Sequence, residues 1–134
     1  MKKAPSRPTS KLSKKPTKTF TRVVSHLEES LLPLLEANFP SPQKDYKPFK
    51  QNNMEIDFAW PDLKIGIEVN GGLYLKRGGH TSPTGVRRDY YKLNLAQLQG
   101  WILLQFPPEY CKEPYWSGMA FPMLRKAFKL REKP

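Results

Sequence analysis

The sequence predicts an α/β fold, a small mixed sheet flanked by helices in the order αβββαβ, with one more helix at the C-terminus. Three observations carry that expectation. Apolar residues alternate with others over Met54 to Trp60 and again over Lys64 to Asn70, the period of half-buried strands, and Pro61-Asp62 between them makes a turn. Leu27, Leu31, Leu34 and Leu35 recur on one helical face. The stretch Trp101 to Phe106, bounded by Gly100 and Pro107-Pro108, has the apolar content of a buried strand.

Taken in order, the first helix is expected over Val24 to Asn38, opened by the capping-box spacing of Ser25 and Glu28. Pro33 should kink it or delay its start, since proline disfavours a helix interior. Pro40, Pro42 and Pro48 leave Asp45 to Lys50 as a short edge strand at most. In the next strand Met54, Ile56, Phe58 and Trp60 take one side, and Glu55, Asp57 and Ala59 the other. Ile65, Ile67 and Val69 then oppose Lys64, Gly66, Glu68 and Asn70. After Gly71-Gly72 a loop rich in Gly, Lys and Arg runs to Thr84-Gly85, followed by a helix over Val86 to Gln99 that Gly100 stops. Gly118 to Arg131 has the pattern of a basic amphipathic helix.

The chain has 134 residues and a formal charge of +11, and residues 1–22 hold eight of its Lys and Arg and no acid. With Pro5, Pro8 and Pro16 and no apolar period, that segment buries too little surface to offset its ordering entropy. Residues 1–22 are expected to be a disordered basic arm and 23–134 a single domain. Such an arm binds phosphate through counterion release, although a merely solubilising end has the same composition. No apolar run approaches the roughly 18 residues that span a bilayer, and the arm lacks the apolar stretch of a secretory signal. Cys111 is the single cysteine, which permits neither an internal disulfide nor a multi-cysteine zinc site. The expectation is a soluble, intracellular protein in a reducing compartment, with no membrane partner.

If Pro61 to Lys64 form the hairpin loop, residue 60 faces residue 65, and Asp57 faces Glu68 on one side of the sheet. Side chains so opposed have Cβ atoms about 4.5–5.5 Å apart, and like charges there repel. A divalent cation offsets the repulsion: two carboxylates with waters and a phosphate oxygen make the oxygen cage that suits Mg²⁺ or Mn²⁺. A metal so placed polarises a phosphate and activates water. A wet sheet face would also carry alternating acids. The glycines Gly71-Gly72 directly after Glu68-Val69-Asn70 favour a site, because they let backbone approach a ligand closely.

The segments Ile56-Asp57-Phe58-Ala59-Trp60-Pro61, Ile67-Glu68-Val69-Asn70-Gly71-Gly72, Gly79-His80-Thr81, Arg88-Asp89-Tyr90-Tyr91-Lys92-Leu93-Asn94 and Gly100-Trp101 carry a family likeness. Together they resemble the compact PD-(D/E)XK endonucleases of phages, prophages and bacteria, relatives of Vsr-type mismatch nickases and of restriction-endonuclease-like folds. The resemblance covers Leu27 to Phe106. It implies a restriction-endonuclease-like core and metal-dependent cleavage of DNA in the bacterial cytoplasm, at the nucleoid. It also implies that Asp57 and Glu68 bind the metal, with Mg²⁺ or Mn²⁺ as cofactor. A glutamate on the first helix often completes the acidic set in such enzymes; Glu28 is the matching position, with Glu29 beside it, and the capping box is Glu28's other role.

Asn70 departs from the pattern, which has lysine there. Asparagine supplies no charge to a transition state, although it can orient water. Lys92 is the candidate to compensate, since members of the family are similar in carrying a lysine on this helix; its alternative role is a surface pair with Asp89 at i to i+3. His80 fits phosphate binding, water orientation or proton transfer, or a plain surface position. Lys76, Arg77, Arg87 and Arg88 flank the glycine-rich loop as contacts for a nucleic-acid backbone. Tyr74 and Trp60 are candidates for stacking on bases, Trp60 being better suited to the core. The catalytic candidates are thus Asp57, Glu68, Asn70, Lys92, His80 and Glu28. The expected function is DNA phosphodiester hydrolysis, and the alternative is a nuclease-fold DNA-binding module weakened in turnover by Asn70. The sequence is compatible with several DNA structures, with RNA, and with a monomer, a homodimer or a phage or host DNA-processing partner.

Overall fold

The computed structural model describes residues 26–69 and 83–132, and in it a four-stranded mixed sheet is flanked by helices on both faces. Helix α1 (26–38) buries Leu31 and Leu35 and packs Leu27 and Leu34 beside them, the face that the leucine spacing predicts. It continues through Pro33, whose ring is exposed. It ends ahead of Pro40, where Asn38 Nδ2 donates to Leu34 O at 2.8 Å and Phe39 N donates to Leu35 O at 2.8 Å. Ser25, and with it the capping box, lies outside the described residues.

Strands β1 (Gln43–Tyr46), β2 (Ile56–Trp60) and β3 (Ile65–Val69) form an antiparallel meander, and helix α2 (Pro83–Leu98) crosses over to β4 (Ile102–Phe106), parallel to β3. The sheet order is β1-β2-β3-β4. The edge strand thus starts directly after Pro42 and ends before Pro48, not over Asp45 to Lys50, because a proline inside the run would remove a ladder donor. The hairpin has the expected register, Trp60 opposite Ile65 and Phe58 opposite Ile67. Its turn closes through Leu63 N to Trp60 O at 3.0 Å and Lys64 N to Pro61 O at 3.1 Å.

Gly100 ends α2 as expected, at φ +85°, a backbone conformation that an L side chain rarely adopts. Gly100 N donates to Gln97 O at 3.0 Å and Trp101 N to Ala96 O at 2.9 Å, the bond pair of a Schellman end. The C-terminal segment is a π-helical turn (Trp116–Ala120) leading into α3 (Phe121–Arg131), so the helix expected from Gly118 begins regularly only at Phe121.

One face of the sheet, with Phe58, Trp60, Ile65, Ile67, Val69 and Phe106, packs against α1 and against Trp116, Ala120, Leu124 and Ala127. The other face joins Ile56, Ala59 and Leu103 to Phe49, Trp101 and Ala96 of α2. Full burial of a side chain such as Leu31 or Phe58 contributes about 1.5–3 kcal/mol.

That division corrects the expected side assignment of β2. Met54 and Ile56 pack with the α2 cluster, whereas Phe58 and Trp60 pack with the α1 cluster, so the alternation breaks at Asp57. The paired strand breaks at the same level. Asp45 has φ +52° and lies between the pairs Lys44–Phe58 and Tyr46–Ile56. Lys44 Nζ sits 5.7 Å from the Phe58 ring centroid on one side, while the Tyr46 ring lies 5.9 Å from Trp101 on the other. Trp60 is buried and donates Nε1–H to Pro40 O at 2.7 Å, so of its two readings it takes the favoured one, a core residue.

At the far end of the hairpin, Arg131 donates to Leu63 O at 2.6 Å and to Gly100 O, tying α3 to the turns at both its neighbours. Among the described residues, no helix is long and apolar enough to cross a membrane.

Candidate active site

The site residues converge where β2 begins and β3 ends. Asp57 lies one residue beyond the last β2–β3 pair, Phe58–Ile67, and Glu68 follows Ile67 in β3. Asp57 Oδ2 accepts a hydrogen bond from Val69 N at 2.7 Å, so the backbone of β3 holds the carboxylate of β2. Burial pushes the Asp57 carboxyl above the usual aspartate range against the pull of that N–H and of Lys92, and Asp45 and Glu55 push it further.

Lys92 enters from α2. Its Nζ lies 2.8 Å from Glu68 Oε2 and donates to Glu55 O at 2.8 Å, and the side chains of Lys92 and Glu68 are only 20% and 14% exposed. Lys92, singled out in the sequence, thus contacts Glu68 and the carbonyl of Glu55. The Asp89 side chain lies outside what the structure describes.

Glu28 enters from α1 with its side chain 12% exposed, and its Oε1 lies 3.3 Å from Lys44 Nζ. Burial raises its carboxyl, and the neighbouring Asp57 is the next cause, ahead of the lowering effect of Lys44. Glu29 is exposed, so Glu28 is the inward-facing member of the pair. Cys111 lies beneath the same group. Its buried thiol is pushed up to about 12, by burial first and then by Glu28, Asp57 and Glu109.

Gly66 precedes Glu68 by two and shares its side of β3. A Cβ there would meet Ile56 Cγ2 at 2.8 Å and Leu103 Cδ1 at 3.1 Å, so the glycine allows Ile56 and Leu103 to close under the acids. In β4, Gln105 is the register partner of Glu68.

Asp57, Glu68, Lys92 and Glu28 are therefore brought together. Among the described residues, no group of three or more His, Cys, Asp or Glu is arranged to hold a metal. Asn70, His80, Lys76, Arg77 and Tyr74 lie outside the described residues. Arg87 and Arg88 are exposed on α2.

Sequence reasoning missed Lys44, Asp45, Glu55, Gln105 and Cys111. Gln105 carried a signal, as the one polar residue in Ile102 to Phe106. The other four owe their place to tertiary pairing. Comparison of the chain with protein-family models, curated proteins and solved structures returns no match.

Proposed function

We propose that the chain is a divalent-metal-dependent endonuclease that hydrolyses DNA phosphodiester bonds on a restriction-endonuclease-like version of this sheet. The observation that carries the reading is the meeting of Lys92 with Glu68 near the half-buried Asp57. The donor set suits the metal. Asp57 and Glu68 are hard oxygen donors on adjacent strands, and burial, with Asp45 and Glu55 nearby, holds the Asp57 carboxyl up even against the pull of Val69 N–H and Lys92. Mg²⁺ is commonly held by one or two carboxylates, with waters and substrate phosphate oxygens filling its shell, so a pair suffices. A cation held by Asp57 and Glu68 supplies positive charge to the phosphate and lowers the pKa of water.

The chain's own residues do the rest. Val69 N–H fixes the orientation of Asp57. Lys92, anchored on Glu55 O, supplies the charge that Asn70 lacks and stabilises negative charge on the phosphate. Glu28, its carboxyl raised, is suited to hold a proton. Arg87 and Arg88 bind the backbone of the nucleic acid, as would be needed at a bacterial nucleoid.

The test is incubation with a panel of duplex, nicked, branched, mismatched and single-stranded DNAs in Mg²⁺, Mn²⁺ or EDTA. Cleavage that needs metal and disappears in Asp57→Ala and Glu68→Ala supports the reading; no cleavage of any substrate overturns it. One observation favours a DNA-binding module instead: Lys92 already neutralises Glu68, and Val69 already satisfies Asp57. Such a module binds the same DNAs and cuts none.

A further inference from the structure

We infer that the outer surface of α2 is a track for unstacked nucleotides, leading from the candidate active site along alternating cations and aromatic rings, and that the DNA bound there is single-stranded. At about 100° per residue, Arg88, Tyr91, Arg87 and Tyr90 follow Lys92 around the helix at about 40°, 100°, 140° and 200°. Tyr90 is 64% and Tyr91 53% exposed, and Arg87 and Arg88 are exposed with them. The inward side of the same helix is centred on Ala96 and Leu93, with Leu95 partly buried where the outer arc begins, so neither tyrosine is needed for the core. The other positions in that arc, 83, 84, 94, 95 and 98, are Pro, Thr, Asn, Leu and Leu, so no acid interrupts it.

The chemistry of this surface selects its occupant. Guanidinium groups complement phosphates, and phenol rings complement the faces of bases. A duplex hides those faces in its own stack and would use the arginines alone. A single strand, or the unpaired strand of a branched DNA, uses both kinds of group at a spacing of one helical turn. The inference deepens the proposed function by naming the form of its substrate, and it rests on that reading for Lys92 as the reacting end of the track. Binding itself is independent of turnover.

The experiment measures fluorescence anisotropy of a labelled single-stranded oligonucleotide and of its blunt duplex with the full chain in EDTA. Wild type should prefer the single strand. Tyr91→Ala should weaken single-strand binding by about tenfold and leave duplex binding nearly unchanged, the loss of one stacked base. Tyr91→Phe keeps the ring and should bind like wild type. Tyr115→Ala removes an exposed tyrosine beyond α2, on the segment that packs against the opposite face of the sheet, and should also bind like wild type. Equal affinity of wild type for both DNAs, an unaltered Tyr91→Ala, or no measurable binding overturns the inference. Tyr91-dependent binding without metal-dependent cleavage would keep the track and remove the nuclease reading, whereas cleavage indifferent to Tyr91 would do the reverse.

Discussion

Lys92 Nζ lies 2.8 Å from Glu68 Oε2 while the same ammonium donates to the carbonyl of Glu55, so one side chain of α2 binds both β3 and the approach to β2. Removing it takes a close cation away from a largely buried carboxylate. Lys92→Ala should cost about 1–3 kcal/mol of stability by thermal or urea melts. In the proposed reaction it should abolish cleavage and keep DNA binding, and Asn70→Ala should be milder. The double variant Asn70→Lys, Lys92→Ala should regain cleavage. Wild-type cleavage by Lys92→Ala would remove the lysine from the mechanism.

Asp57 gives a pH dependence of defined sign. Its carboxyl is raised in the folded chain, so between the ordinary aspartate range and the raised value the folded chain binds more protons than the unfolded one. Stability contributed by this group is therefore present below that window and lost as pH rises through it. Asp57→Asn removes the loss and keeps an oxygen for Val69 N–H. In metal-free melts from about pH 3 to about pH 8, the variant should be at least as stable as wild type above the window, its advantage shrinking as pH falls. A variant less stable than wild type at neutral pH would show that the charge is welcome there.

Cys111 should be inert in the native chain. With the thiol buried and pushed up to about 12, thiolate is scarce at neutral pH. A maleimide reagent should label it slowly until denaturant is added, and then at once. Rapid native labelling would mean that the floor of the site opens.

Gly66→Ala should destabilise the sheet by about 1–3 kcal/mol through overpacking, since its Cβ meets Ile56 and Leu103 within 3.1 Å. An unchanged Tm would mean that both side chains can withdraw freely.

The hairpin register was legible because the four residues Pro61 to Lys64 leave one pairing that sets both apolar runs inward, and the end of α2 because glycine at position 100 suits a left-handed turn. The expected opposition of Asp57 and Glu68 extends that register one step past the last pair, Phe58–Ile67. The break in alternation at Asp57 was not legible. Met54 to Trp60 alternates strictly in sequence, and what accompanies the break is the left-handed Asp45 in the paired edge strand, whose position depended on locating β1 correctly. Gln105 next to Glu68 required the parallel register across the α2 crossover, which no local pattern encodes. The inward turn of Glu28 and the outward turn of Glu29 depend likewise on how α1 lies against the sheet.

The central claim, that Asp57 and Glu68 act together as one divalent-metal site, is tested most directly by calorimetric titration of Mn²⁺ into wild type, Asp57→Ala and Glu68→Ala. One carboxylate facing a strongly hydrated ion holds it poorly, so the account predicts binding by wild type and its loss in each single variant. Unchanged Mn²⁺ affinity in both variants would contradict it.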